Sequence, residues 1–469
     1  MPMLPVSDQN RIEKDSLGDV SVAATALWGA QTQRAIDNIR IGQECMPGAL
    51  IRAIGLIKWA AAETNGELGE LPAPLASAIG DAALEVAAGR HAEQFPVGVM
   101  QTGSGTSTNM NVNEVLARLA GLRLGTAVHA NDHVNRCQSS NDVIPTAIHL
   151  AAALELRDAL LPALAALARA IAERAEQAGA QVKTGRTHLM DALPIMIGQE
   201  MRAWRSQLLD AAARLEDCLP RLLRLVLGAT AVGTGANAHP RFAALAIARL
   251  AARTELALTP ATDRFAGLAS QDTAVELSGQ LRTAAVALIK ICNDLRWMNS
   301  GPLAGLGEIS VPALQPGSSI MPAKVNPVIP EAVAMAATRV IGNDVTVAMA
   351  GASGNFQLNV MLPLIAHALL QSIELLGDSA QALAERVLPG LVIHGDRISE
   401  TLARNPMLLT ALAPRIGYDR AATIAKLAAA EGRPILEVAV EATGLPREEL
   451  ARLLDPARLA GGDGPDDGR

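Results

Sequence analysis

Residues 159–172 read ALLPALAALARAIA. Written on a 3.6-residue period, this stretch is apolar on more than one face, and a helix of that kind is buried on most of its sides. Pro162 removes one i→i−4 hydrogen bond, which predicts a kink. The surrounding chain continues the pattern. Residues 141–179, 193–227, 271–298 and 328–385 form long helical patterns nearly free of strand signals. Hydrophobic residues make up 50% of the 469, yet aromatics only 2%, so the apolar mass is Ala, Leu, Val and Ile. That composition suits closely packed helices better than a sheet. The fold class is mainly α, built on a long helical bundle. Four or five such helices carry more apolar surface than one subunit could cover, so the bundle is expected to pack against copies of itself.

On either side of the bundle the pattern changes. Residues 1–45 look irregular, with one short strand around Val20 and Val22. Pro47 opens a helix whose Leu50, Ile54, Ile57 and Ala61 share one face. Leu75, Ile79, Ala83 and Val86 repeat that spacing in a second helix, which Gly89 ends, and a third carries Val112, Val115, Leu116 and Leu119. After Gly390 the helices shorten and charge rises. The net charge is −7, without the clustered Lys and Arg of a nucleic-acid footprint. Cys45, Cys137, Cys218 and Cys292 are far apart and fit neither a metal site nor a disulfide framework. No apolar run approaches the roughly 20 residues of a membrane span, and MPMLPVSDQNRIEKDS lacks a signal-peptide core, so a cytoplasmic location is expected.

Polar, Gly-rich stretches break the Ala/Leu background in four places: TGSGTSTNMN at 102–111, HANDHVNRCQSSND at 129–142, GRTHLMD at 185–191 and PGSSIMPAKVNP at 316–327. Their hydroxyls, amides and backbone N–H groups can bind a carboxylate without a metal. In the last, Gly317 permits backbone conformations barred to other residues, and Pro316, Pro322 and Pro327 stiffen the segment. Ser318 and Ser319 offer hydroxyls, Lys324 is the lone cation, Asn326 adds an amide, and Glu331 falls near the start of the next helix. A Ser/Gly/Pro linker between helices would have much the same composition. His188 has Thr187 and Asp191 for company, and a carboxylate beside an imidazole is the usual way to fix a tautomer for proton transfer. Ser139, Ser140 and Asn141 suit a helix N-cap, an anion site, or both. TGSGT at 102–106 has the same duality. His129 and Asp132 lack a third partner at metal-ligand spacing, and no metal site is expected.

Taken in this order, the four stretches resemble the fumarase/aspartase superfamily. The resemblance runs from LWGAQTQR at 27–34 through GSSIMPAKVNP to LNVMLP at 358–363 and TALAPRIGYDRAA at 410–422. Within the superfamily, SSND at 139–142, RTHL at 186–189, TAVGTG at 230–235, RFAGLASQDTAVELSG at 264–279 and GASGNFQLNV at 351–360 look most like the class II fumarases. MPAKVNPVIPE at 321–331 and NVMLP at 359–363 lean toward the aspartases. The resemblance implies three domains: an N-terminal helical domain over 1–138 with a catalytic loop, a long-helix bundle over 139–395, and a small helical domain over 396–460, followed by a disordered tail over 461–469. It further implies a homotetramer whose bundles join in a twenty-helix core, with active sites shared by three subunits.

The implied reaction is reversible hydration of fumarate to (S)-malate, a step of the tricarboxylic acid cycle, with no metal and no organic cofactor. By resemblance Ser318 is the base, Lys324 and Asn326 stabilise the carbanion, His188 handles the leaving hydroxyl and Glu331 orients it. Ser104, Gly105, Thr106, Ser139, Ser140, Asn141, Thr187, Ser319 and Val325 complete the dicarboxylate site. A second dicarboxylate site falls on His129, Ala130, Asn131 and Asp132. The chain departs from the family pattern at Leu303, commonly Arg, at Ala130, commonly Pro, and at Thr126, which some members replace with a basic residue. The alternatives are addition of ammonia to fumarate and, less favoured because the catalytic loops are intact, a non-catalytic structural homologue.

Overall fold

A computed structural model of the chain describes residues 10–461. The segment 462–469, most of the expected disordered tail, lies outside the described residues. The protein is mainly helical, and its few strands form only two-stranded sheets among the described residues. The chain divides into two compact units, Met1–Pro162 with Ala211–Ala285 and Ala337–Gly377, and Ala163–Asp210 with Val286–Ala336 and Asp378–Arg469.

The first unit packs Gly48–Glu67 against Ala73–Ala87, Ser140–Glu155 and Phe242–Thr254. The residues expected on one face of the first of these, Leu50, Ile54, Ile57 and Ala61, are all fully buried. Helices approach this closely where side chains are small: a Cβ on Gly55 would lie 2.7 Å from the backbone nitrogen of Ala87. The N-terminal region departs from expectation. Asn10–Asp15 and Gly18–Ala23 form an antiparallel hairpin, followed by the helix Ala30–Asn38. The first strand escaped the sequence reading because its half-buried positions are Arg11, Glu13 and Asp15, whereas Ile12 points to solvent. Glu114 caps the following helix, its carboxylate accepting the N–H groups of Gly29, Gln31 and Thr32 at 2.9–3.1 Å.

Five further helices, Leu161–Gln177, Ile197–Glu216, Asp272–Met298, Val328–Gly351 and Leu362–Ala382, are divided between the two units. The disturbance expected at Pro162 takes the form of a π-helical turn over Leu156–Leu160, just ahead of it. A widened turn there relieves the clash and the lost bond that proline imposes on the preceding turn. The patterns at 193–227 and 328–385 are not continuous. A hairpin reaches to Met196, and residues 352–361 interrupt the second pattern with a small hairpin, Gly354–Asn355 on Leu358–Asn359.

The second unit contains that larger hairpin, Val182–Thr187 on Met190–Met196. No apolar alternation announces it, since Lys183 and Thr184 are among its buried residues. Burial of Lys183 is made tolerable by Glu200 and Glu308, 2.9 and 2.8 Å from its Nζ, and Glu308 also pairs with Arg186 at 2.8 Å. Near the C-terminus, Leu409, Leu412, Ile424, Val438 and Leu450 form a separate small core among short helices.

Candidate active site

In the first unit, the sequence reading of 139–142 as a cap is correct. Ser139 is the N-cap of Ser140–Glu155, its Oγ accepting the Asn141 N–H at 3.2 Å, while Asp142 Oδ1 accepts the Ser139 N–H at 2.9 Å. Asp142 does more than cap. Its Oδ2 accepts the N–H groups of Gly228 and Thr230, both at 2.9 Å, and this ties the loop 228–235 to the helix start. Thr230 has φ 57°, a costly conformation for a β-branched residue, and the Asp142 bond helps to hold it there. Asn141 Nδ2 donates to the Ala231 carbonyl at 2.8 Å, a second tie to that loop. Burial pushes the Asp142 carboxyl up to about 6, against the pull of its three N–H donors and of Lys58.

Ser139, Ser140, Asn141, Thr230 and Ala231 line a polar cleft of about 540 Å³, together with Thr106, Asn131, Asp132, Asn135, Gln138 and Asn237. Thr106 comes from the start of Thr106–Leu124, so the first turns of two helices serve the cleft. Ser104 and Gly105 stand beside it rather than among its lining residues. Ser104 Oγ lies 2.9 Å from Thr106 Oγ1, and Gly105 caps the helix at φ 74°. Gly103 is fixed by close approach, because a Cβ would fall 1.6 Å from the Val360 carbonyl oxygen. Of the residues assigned to a second dicarboxylate site, Asn131 and Asp132 line this cleft. His129, Ala130 and Asn131 also border a hollow of about 900 Å³ that includes Lys14 and Arg118. His129 Nδ1 accepts the Asp132 N–H at 3.1 Å, which closes the turn over 130–134. Thr126 borders the same hollow.

In the second unit, the loop 317–327 is clasped on itself. The Gly317 N–H donates to the Lys324 carbonyl and Asn326 Nδ2 donates to the Gly317 carbonyl, both at 2.8 Å. The approach is so close that a Cβ on Gly317 would lie 2.5 Å from Lys324 O and 2.9 Å from Asn326 N. Ser318 Oγ accepts two backbone N–H groups, from Ile320 at 3.2 Å and Met321 at 2.9 Å. Lys324 Nζ donates to Asn326 Oδ1 at 2.7 Å. The helix Val328–Gly351 follows, with Glu331 in its first turn as expected. Met321–Pro327 and Glu331 line a cavity of about 1100 Å³ with Asn293, Arg296, Asn299, Ser310 and His394. Val325 and Asn326 are therefore at this cavity, whereas Ser318 and Ser319 lie outside its lining.

Thr187 and His188 line neither the cleft nor this cavity. Thr187 pairs with Met190, and His188 and Leu189 form the two-residue turn between them at φ 56° and 61°, the geometry of a primed hairpin turn. His188 is thus held out at an exposed tip. The carboxylate expected beside it, Asp191, stands opposite Arg186 in the ladder. Among the described residues, no group of three His, Cys, Asp or Glu side chains could hold a metal ion, and no helix is long and apolar enough to cross a membrane.

The sequence reading took 129–142 as a polar stretch without singling out Asn135 and Gln138, and quoted 230–235 without placing Thr230 or the nearby Asn237 at the cleft. It also passed over Lys58 beneath them. Lys58 follows Ile54 by four residues and precedes Ala61 by three, so it is a lone cation on an apolar helix face, which is the signal that could have found it.

A family model described as lyase matches residues 18–342, and one described as the C-terminus of fumarase C matches 408–461. A class II fumarate hydratase of Xylella fastidiosa is 59% identical over 456 residues, covering 97% of this chain and 96% of that one. One from Thermus thermophilus is 50% identical over 457 residues, covering 96% and 98%. Among solved structures, a class II fumarase of Schistosoma mansoni superposes with a TM-score of 0.92 at 38% identity, covering 96% of this chain and 99% of that one. Identity of this order over nearly the full length, with cap, clasp and hairpin formed where the four polar stretches fall, shows that the chain belongs to the class II fumarate hydratase family of lyases.

Proposed function

We propose that this chain catalyses the reversible hydration of fumarate to (S)-malate through a carbanion. The observation that carries this reading is the environment of Ser318. In the dehydration direction the hard step is removal of a weakly acidic C–H proton beside a carboxylate. A serine can act as base only if its alkoxide is stabilised, and two backbone N–H groups already converge on Ser318 Oγ. Lys324, held against Asn326 at 2.7 Å, supplies a cation where negative charge develops on the substrate carboxylate. Thr106, Ser139, Ser140 and Asn141 offer neutral donors at helix starts for a carboxylate. Ser104, Gly105, Thr187, Ser319 and Val325 complete the binding set. His188 handles the leaving hydroxyl and Glu331 orients it.

We further infer a homotetramer whose active sites each draw on three subunits. Two features support this. Met335, Val345 and Met349 on the helix Val328–Gly351 are 60–69% exposed in the single chain, an apolar surface that suits burial against copies of itself. His188 stands at an exposed hairpin tip, where it could serve a neighbouring subunit's site. Dilution below the dissociation point should abolish turnover, because no subunit alone would hold a complete site. Cys45, Cys137, Cys218 and Cys292 are all unpaired, which supports a reducing compartment such as the cytoplasm.

The test is an absorbance assay for the fumarate double bond, with malate and then aspartate as substrate. Turnover of malate but not aspartate is expected. The reverse would move the chain to ammonia-lyase chemistry.

A further inference from the structure

Lys58 is fully buried, yet both of its hydrogen-bond partners are neutral amides. Its Nζ donates to Asn135 Oδ1 at 3.0 Å and to Gln138 Oε1 at 2.9 Å. Asn135 Oδ1 also accepts Asn109 Nδ2 at 3.2 Å and Asn113 Nδ2 at 3.1 Å. Asn109 Nδ2 in turn reaches Ser140 Oγ at 3.0 Å. A network centred on one ammonium therefore fixes the turn 135–138 that leads into Ser139, and Asn135, Gln138 and Ser140 all line the polar cleft. The carboxylate that acts on it through space, Asp142, spends its oxygens on the backbone N–H groups of Ser139, Gly228 and Thr230.

Burying an ammonium without a contacting carboxylate is costly, and a methionine would fill much the same space without that cost. A cost of this kind concentrates at functional sites. Burial lowers Lys58 to about 7, and Asp142 opposes that shift. A dianion arriving in the cleft would add the negative charge that the ammonium lacks.

We propose that Lys58 is a positioning residue for the dicarboxylate cleft: its ammonium orients the Asn135 and Gln138 amides, and through them the Ser139–Asn141 helix start, and places positive charge beneath the bound dianion. The inference rests on the reading of the cleft as a dicarboxylate site.

The test compares wild type, Lys58→Met and Gln138→Met as intact oligomers at pH 6.5. Malate and fumarate kinetics are measured alongside calorimetric titration with succinate, an unreactive dicarboxylate. In Lys58→Met, KM should rise roughly 10- to 100-fold, the range expected for loss of a charge-assisted interaction, while kcat barely moves. Succinate affinity should fall in parallel, and Gln138→Met should shift both quantities in the same direction by less. A purely structural lysine would instead lower the melting temperature and the active fraction, leaving KM and succinate affinity where they were; that result overturns the proposal. Should Lys58→Met fail to fold, Gln138→Met decides, and unchanged KM and succinate affinity overturn the proposal. If wild type turns over neither malate nor fumarate, the proposed function fails separately, and the succinate titrations still decide the role of Lys58.

Discussion

Replacing Gly317 by Ala tests whether the clasp of the loop 317–327 is the working arrangement. An added Cβ would stand 2.5 Å from the Lys324 carbonyl oxygen and 2.9 Å from the Asn326 nitrogen, distances that real Cβ atoms essentially never show. Both obstacles are backbone, so no side chain can rotate away, and the strand of loop from Lys324 to Asn326 must move. That movement opens the Gly317–Lys324 and Asn326–Gly317 hydrogen bonds. At about 1 kcal/mol net each, the clasped state loses about 2 kcal/mol, or about 30-fold in its population relative to open forms. If only the clasped loop aligns Ser318 with Lys324, kcat/KM for malate should fall, by up to about 30-fold. Thermal stability should hardly change, because the loop is largely exposed and contributes little to either core. Steady-state kinetics and a melting curve on the same preparation give both numbers. Wild-type kcat/KM in Gly317→Ala would refute the reasoning, and so would a loss of activity matched by global unfolding.

Other perturbations reach different parts of the molecule. Asp142→Asn replaces an acceptor of three backbone N–H groups with a side chain that also donates; kinetics should show a raised malate KM, and melting should show a loss of about 1 kcal/mol or more from the helix cap. Glu308→Gln removes the carboxylate between Lys183 and Arg186, which should lower stability by about 3 kcal/mol in denaturant titration and loosen the hairpin that carries His188. Stability should also depend on pH in a definite sense. Asp142 is raised to about 6, so the native state binds more protons than the unfolded chain between the ordinary carboxylate range and that value, and stability falls as pH rises through this window. Lys58 is lowered to about 7, so above that value the unfolded chain binds more protons and stability rises with pH toward the ordinary lysine range. Melting temperatures should therefore pass through a shallow minimum near pH 6–7, and Lys58→Met should remove the rise on the alkaline side.

Much of the architecture was legible because apolar spacing in long helices is a strong signal. The face Leu50, Ile54, Ile57 and Ala61 was buried as read, and Ser139 capped the helix its residue type suggested. What escaped notice was packed by charge rather than by apolar side chains. The strand Asn10–Asp15 turns Arg11, Glu13 and Asp15 inward, and Val182–Thr187 buries Lys183 between the carboxylates of Glu200, on the next helix, and Glu308, far along the chain. Binary patterning cannot register a strand whose inner face is ionic. Lys58 stood out as a lone cation on an apolar helix face, but its role could not be read from there, since its partners, Asn135 and Gln138, lie 77 and 80 residues away. Residue types also could not reveal how His188 is presented. Its neighbours suggested an imidazole held by Asp191, whereas the ladder sets Asp191 opposite Arg186 and leaves His188 at the turn.

We propose Ser318, whose hydroxyl oxygen accepts the N–H groups of Ile320 and Met321, as the base in fumarate–malate interconversion. Its most direct test is malate turnover by Ser318→Ala, with oligomeric state and melting temperature checked against wild type. Loss of the proton-transfer group from an otherwise intact assembly should lower kcat by roughly 10²–10⁴-fold. An intact assembly that retains kcat within an order of magnitude of wild type would contradict that assignment.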